Sequence, residues 1–279
     1  MVITLNMNRL TKFFKRSHHV IPNLPISIHL PVVDSINHSP SWQNGTRIPI
    51  PLPGNMTSKQ CDNILSLVSI AENSTINWYD NYTYIQDIGD GRGYTCNIVG
   101  FCSGTGDLLF FFQRIKEIDN KHPLVEFIPA LQKINGTDSH EGCNGLINAI
   151  KKCKNDPVYI EATWKTIIFF YWMPVMVTAN SLGIQWPITK GQLYDINLNM
   201  GNLSLVSKVK SIPPSRGGNE LIWLIELQTI WHRHITQKDS TLNGGQPDRS
   251  LMWRSIRDSG NYYLKSPINV TCYGDVYEI

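Results

Sequence analysis

Apolar and polar positions along the chain alternate in two distinct ways. Ile64, Leu67, Val68 and Ala71 recur at helical spacing behind Ser58, a residue type that caps helix starts. A helix is expected from Ser58 to about Glu72, ending before Asn73-Ser74-Thr75. Residues 76–100 change character. Trp78, Tyr79, Tyr82, Tyr84 and Ile85 favour extended chain or a short helix. Gly89-Asp90-Gly91-Arg92-Gly93 is a tight turn, and Thr95–Val99 reads as a returning strand, so a small hairpin is expected. A second turn follows at Gly104-Thr105-Gly106-Asp107. From Leu108 the helical period returns, and further helices are expected over 122–133, 145–155, 158–180, 186–199 and 220–235. The last is apolar nearly all round (Leu221, Trp223, Leu224, Leu227, Ile230, Trp231), which predicts a helix crossing the core. Residues 1–56 are different: basic, rich in proline and without period, as in Ile48-Pro49-Ile50-Pro51-Leu52-Pro53-Gly54. They read as an extended arm. The fold class is therefore mainly α (α+β), helices with one small β element, and the packed domain is expected over 57–279.

Composition narrows this picture by exclusion. At 279 residues, 42% hydrophobic and 17% charged, the chain can bury a substantial core and is neither collagenous nor broadly disordered. Its longest apolar run, Ile167–Val177, contains Pro174 and is about half of the ~20 residues a membrane span needs, so a buried helix near a proline is expected. Bases at Arg9, Lys12, Lys15 and Arg16 are not followed by an unbroken apolar run of signal-peptide length, because Pro22, Pro25 and Pro31 interrupt it. The six cysteines form no Cys-x-x-Cys pair and have no zinc-like spacing. Cys96–Cys102 and Cys143–Cys153 could bridge, and free buried thiols fit equally. Eight Asn-x-Ser/Thr sequons are present, and a glycan on Asn73 would obstruct the neighbouring Glu72.

Charge changes the picture most. The formal total of +3 is too small to suggest a nucleic-acid partner. It hides a basic segment, residues 1–60, with six Lys/Arg against Asp34 alone. It also hides an acidic island, residues 72–107, with Glu72, Asp80, Asp87, Asp90 and Asp107 against Arg92 alone. Within that island two carboxylates have contrasting settings. Glu72 falls at the negative end of a helix dipole, which disfavours its ionised form and suits a general acid. Asp90 sits in a glycine-rich turn, expected to be open to water and two residues from Arg92, which favours the ionised form and suits a general base. Carboxyl groups driven apart in this way are what glycoside hydrolysis requires. Read alone, the same residues are also a helix-end glutamate and a turn aspartate. Thr95 could set its hydroxyl on the Asp90 side of the hairpin to hold a water, or simply be a strand residue. Asp107 is a helix cap or a sugar-binding carboxylate. The aromatic group around Tyr84 is core or a sugar-stacking surface. No serine-nucleophile elbow, phosphate-binding loop or dinucleotide fingerprint occurs, and the histidines lack metal-ligand spacing.

The run Ala71-Glu72-Asn73-Ser74, then Tyr84 to Thr95 with its Asp-Gly-Arg-Gly-x-Thr core, then Gly100 to Asp107, resembles the signature of the chitosanases of glycoside hydrolase family 46. The likeness continues through Asn135–His140, Asn155-Asp156-Pro157-Val158 and Tyr194-Asp195 to Tyr273-Gly274-Asp275. It covers roughly residues 58–279. It implies a two-lobed, lysozyme-like fold with the substrate between lobes, no metal or cofactor, a monomer, and endo-hydrolysis of β-1,4 glucosamine linkages with inversion. Carried over by position, Glu72 is the general acid, Asp90 the general base and Thr95 a holder of the attacking water. Asp107, Arg92 and Tyr84 belong to substrate binding. Asp195 is a buried acid in an arginine network behind Glu72. Two positions depart from the family pattern: Gln86, where a subgroup has an acid, and Met200, where a histidine is expected. Trp231 stands where one network arginine is expected, and Arg249 and Arg254 compete for the other. Inversion requires the two carboxyl groups to stand farther apart than the ~5–5.5 Å of retaining enzymes. The family is largely extracellular, and release by lysis would fit the lack of a visible export signal. The rivals are a lysozyme-like hydrolase of peptidoglycan or chitin and a non-catalytic glucosamine-polymer binder.

Overall fold

A computed structural model describes residues 48–50, 52–237 and 247–279. The basic arm expected over 1–56 thus lies largely outside the described residues. The chain forms two compact units, one built from Leu52–Trp78 and Phe169–Ile279, the other containing Tyr79–Ile168.

In the first unit α1 runs over Ser58–Asn73. Thr57, one residue earlier than expected, caps it: its side chain accepts from Gln60 N–H while the Gln60 side chain accepts from Thr57 N–H. This reciprocal pair satisfies two backbone donors at the helix start. The helix ends at Ser74, whose left-handed backbone lets its N–H bond to the Ile70 carbonyl. Packing begins slightly before the helix, since the Pro53 carbonyl accepts from Trp172 Nε1 at 2.6 Å.

The helix expected over 158–180 is broken. α5 (Pro157–Ile167) of the second unit passes through a π turn, Ile168–Trp172, into α6 (Met173–Leu182) of the first. Pro174 in the first turn of α6 explains the break, because proline is tolerated at a helix start but not inside one. Among the described residues no helix is long and apolar enough to cross a membrane.

The central helix is not the one that the apolar pattern indicated. α7 (Pro187–Met200) is buried along nearly its whole length, although it carries Thr189, Lys190, Gln192, Asp195 and Asn197. α8 (Glu220–Gln237) buries Trp223, Leu224, Leu227 and Trp231 but leaves Ile222 and Ile225 exposed. The polar residues of α7 can be central because partners meet them. Asn197 donates to the Phe170 and Tyr171 carbonyls, and Asp195 meets Arg249 and Trp253. At Gly191 an added Cβ would sit 2.8 Å from Trp253 and 2.9 Å from Ile64, so glycine sets how closely α7 approaches its neighbours. α9 (Pro247–Asp258) and the hairpin β4 (Asn269–Cys272) and β5 (Asp275–Glu278) complete this unit. None of these three elements was expected from periodicity.

The second unit holds a three-stranded antiparallel sheet: β1 (Ile85–Asp87), β2 (Tyr94–Cys96) and β3 (Phe101–Cys102). Ile85 pairs with Cys96 and Asp87 with Tyr94, so the expected hairpin is present and gains a third strand. α2 (Asp107–Ile118) packs on α5 through Phe111 and Tyr159, whose rings meet edge to face at 5.1 Å. α3 (Ile128–Ile134) packs on α2 and α4 (Leu146–Lys151) on β1, both shorter than the helices expected there. Asn97, with positive φ, turns the chain after β2 and donates to Tyr159 Oη and Thr163 Oγ1.

Candidate functional site

Glu72, on the last turn of α1, is 5% exposed. Its Oε1 lies 2.6 Å from Arg249 Nη1, an ion pair by distance whose angles fall short of a hydrogen bond. Arg249, at the start of α9, turns its other edge to Asp195 on α7. Nε donates to both Asp195 oxygens at 3.0 and 3.1 Å, and Nη2 to Oδ1 at 2.5 Å. Trp253, one helical turn beyond Arg249, donates its Nε1 to Asp195 Oδ2 at 2.9 Å. One fully buried guanidinium thus bridges two carboxylates. Burial pushes the Asp195 carboxyl up from its ordinary value, and Arg249 and the Trp253 hydrogen bond pull it back. Burial disfavours the Arg249 charge, but Asp195 and Glu72 outweigh it and hold the guanidinium above its ordinary value.

Of Arg249 and Arg254, it is Arg249 that meets both Asp195 and Glu72. Arg254 turns instead to the Gln228 carbonyl. Trp253 is the second side-chain donor to Asp195, while Trp231, at the position where the likeness leads to an arginine, is buried on α8. Sequence reasoning missed Trp253, and with it the helix that carries it. The signal available was Arg249-x-x-x-Trp253, a four-residue spacing that puts both side chains on one face.

The second unit holds the other carboxylate. Asp90 lies in the turn between β1 and β2, with positive φ at Gly89, Gly91 and Gly93. Arg92 closes on it locally. Nε and Nη2 both donate to Asp90 Oδ2, at 2.9 and 2.5 Å, and the Arg92 amide donates to Oδ1 at 3.2 Å. The Asp90 side chain is 4% exposed. This corrects the expectation that it lies open to water: a guanidinium and a backbone N–H surround the carboxylate where solvation had been expected. Burial works against the Arg92 charge, but Cys102, Asp90 and Asp107 overcome it and raise its value. Tyr84 Oη contacts Gln86 Oε1 at 3.3 Å. Burial, with Asp90 nearby, pushes the Tyr84 phenol up to about 12.

Thr95 is fully buried on β2, with Oγ1 3.5 Å from Cys102 Sγ on the partner strand. Asp107 opens α2. Its Oδ1 accepts from Cys102 N, Thr105 Oγ1 and Leu108 N, at 2.8, 2.7 and 3.1 Å. The N-cap of α2 is Gly106 and Asp107 is the first helical residue, so the cap expected of Asp107 falls one residue earlier, and the Asp107 carboxylate instead ties the chain at Cys102 and Thr105 to the helix start. The structure brings Glu72, Asp195 and Arg249 together in one unit, and gathers Asp90 and Arg92, with Tyr84, Thr95 and Asp107 around the same sheet, in the other.

All six cysteines are free and buried, so neither Cys96–Cys102 nor Cys143–Cys153 is bridged. His122, Cys153 and Asp156 bring three possible metal-ligand atoms within 4.8 Å. Their hydrogen bonds are those of helix starts. Leu124 N–H donates to His122 Nδ1 at 3.2 Å, and Tyr159 N–H to Asp156 Oδ1 at 3.0 Å. The imidazole proton then sits on Nε2, facing Asp156 Oδ2 at 3.2 Å. A metal on Nε2 needs that proton on Nδ1, where the Leu124 amide already points. The donor set is arranged as a cap.

Known proteins resemble this chain over most of its length. A chitosanase of Streptomyces sp. (strain N174) is 30% identical over 225 residues, covering 77% of this chain and 80% of the relative. A solved co-crystal structure of chitosanase OU01 with substrate superposes with a TM-score of 0.72 at 28% identity, covering 80% of this chain and 97% of the other. A chitosanase of Gynuella sunshinyii in complex with chitotetraose gives a TM-score of 0.70 at 26% identity, over 81% and 99% of the two chains. The profile of glycosyl hydrolase family 46 matches residues 66–268, a span that includes Glu72, Asp90 and Arg249. With the family profile matched over 66–268 and a helix-rich fold shared over most of its length, this chain belongs to glycosyl hydrolase family 46 and is a glycoside hydrolase.

Proposed function

We propose that the protein is a chitosanase that hydrolyses β-1,4 linkages between glucosamine units within the polymer, with inversion at the anomeric carbon. The observation that carries this reading is the presence in one chain of two buried carboxylates, Glu72 and Asp90, each held by its own arginine. They occupy the acid and base positions of the family signature.

Glu72 delivers a proton to the glycosidic oxygen as the bond breaks. Asp90 takes a proton from the water that attacks the anomeric carbon from the opposite face. Arg92 fixes the Asp90 carboxylate by two bonds to Oδ2, which leaves Oδ1, bonded only by a backbone N–H at 3.2 Å, as the better acceptor for the water proton. Thr95 assists in holding that water. Asp107 and Tyr84 contact glucosamine units. Asp195 acts through Arg249: by holding Nε and Nη2 it fixes Nη1, which faces Glu72. A polycationic substrate fits the acidic island. Field strength falls over a Debye length of about 8 Å at physiological salt, so the local carboxylates govern binding and the weak positive total does not.

Release of reducing ends from chitosan tests the reading, with Glu72→Gln measured alongside. Cleavage of chitosan that is abolished by Glu72→Gln is expected. Release from peptidoglycan but not chitosan would support a lysozyme-like hydrolase. Binding without cleavage by the unaltered protein would support a carbohydrate-binding relative.

A further inference from the structure

The hairpin that closes the chain contains an outlier. Cys272 pairs with Asp275, so Tyr273 and Gly274 form a two-residue turn, with φ of +54° and +85°. Such a turn needs positive φ at both positions, and glycine, asparagine or aspartate normally fills the first. A tyrosine held there costs on the order of 1–2 kcal/mol. Backbone strain of this kind persists where the side chain contributes something the alternatives lack.

The Tyr273 contacts show what that contribution is. Its Oη donates to the Ala71 carbonyl at 3.3 Å. That carbonyl is among the last four of α1, which the helix cannot satisfy from within. Ser74 N–H takes the Ile70 carbonyl, and Tyr273 takes the next. Ala71 is the residue before Glu72. The Tyr273 amide donates to Asp248 Oδ2 at 3.2 Å, and Asp248 is the residue before Arg249. One residue in a hairpin turn therefore grips the immediate chain neighbour of each partner in the Glu72–Arg249 ion pair. Burial pushes the phenol well above its ordinary value, so the hydroxyl keeps its proton and remains a donor.

We propose that Tyr273 is a positioning residue for Glu72, locking the last turn of α1 against the first turn of α9 so that the acid meets its arginine. The inference rests on the general-acid reading of Glu72. Without the hydroxyl the end of α1 loses its distant cap, and Glu72 is displaced from the geometry that delivers its proton. A misplacement of about 1 Å at a reacting group costs up to about 100-fold in rate.

The test uses two substrates that differ in their need for an acid. Chitosan requires protonation of its leaving oxygen, whereas the β-fluoride of a short glucosamine oligomer loses fluoride unaided. For Tyr273→Phe, kcat on chitosan is expected to fall about 10- to 100-fold with KM within about twofold, while the rate on the fluoride stays near that of the unaltered protein. Tyr273→Asn, which adopts the turn backbone without strain and lacks the phenol, should show the same split with unfolding temperature retained. Equal losses on both substrates, or no loss on chitosan, would overturn the proposal. Glu72→Gln serves as the reference: loss on chitosan with retention on the fluoride supports the acid reading. Loss of both, or of neither, would overturn that reading and this inference with it.

Discussion

The Asp90 turn and the Glu72 corner solve one problem in opposite ways. Each places a carboxylate against an arginine away from water. In the turn, Asp90 and Arg92 are two residues apart and three glycines supply the backbone. The pair is made by local chain, and β1 and β2 only hold its ends. In the corner, Glu72, Asp195 and Arg249 come from three helices, with Arg249 and Asp195 separated by 54 residues. That assembly exists only when α1, α7 and α9 are packed, with Gly191 allowing close approach and Trp253 adding a second donor to Asp195 Oδ2. A local pair depends on one turn, whereas a pair built from distant elements shares its fate with the core.

Several measurements break or sharpen that contrast. The largest effects are on activity and should not distinguish the regions. Glu72→Gln and Asp90→Asn are each expected to lower kcat on chitosan by roughly 100- to 10,000-fold, read as reducing ends. Stability should separate them. Asp195→Asn takes one partner from a fully buried guanidinium and is expected to cost about 3–5 kcal/mol in denaturant unfolding. Asp90→Asn should cost less, about 1–3 kcal/mol, because the buried Arg92 loses a charged partner while the turn that carries both residues stays intact. Equal costs would break the comparison. Gly191→Ala presses a methyl against Trp253 and Ile64 and is expected to cost about 1–3 kcal/mol, with activity reduced through the Glu72 corner. The smallest effect concerns the thiols. Burial pushes Cys61, Cys96 and Cys272 up to about 12, so a disulfide reagent at neutral pH should leave them unmodified in the folded protein and react with six thiols after denaturation. Rapid reaction of the folded protein would contradict the packing around them.

Legibility in the sequence followed the same divide. The Asp90 turn was readable because glycines, aspartate and arginine lie in one run whose local chemistry dictates a turn. The end of α1 at Glu72 was readable from period and breaker residues. The solvation of Asp90 was misjudged, since a turn motif does not reveal how far a neighbouring arginine will cover it. The central helix was misjudged because α7 looks polar. Its Asp195, Asn197 and Gln192 are buried through partners far away in sequence, which hydrophobic periodicity cannot register. α9 is charged along much of its length, and its core-facing side is carried by Arg249, Met252, Trp253 and Ile256, so its apolar signal was weak. The Trp253 contact to Asp195 went unseen with it.

The central claim is that Glu72 and Asp90 act on opposite faces of a β-linked glucosamine unit, and inversion follows directly from it. Proton NMR of chitosan mixed with the enzyme, recorded before mutarotation, reads the anomer first released. The account predicts the α anomer ahead of the β. Initial release of the β anomer would contradict it, because a retained configuration requires a covalent or otherwise same-face route that this pair of roles does not provide.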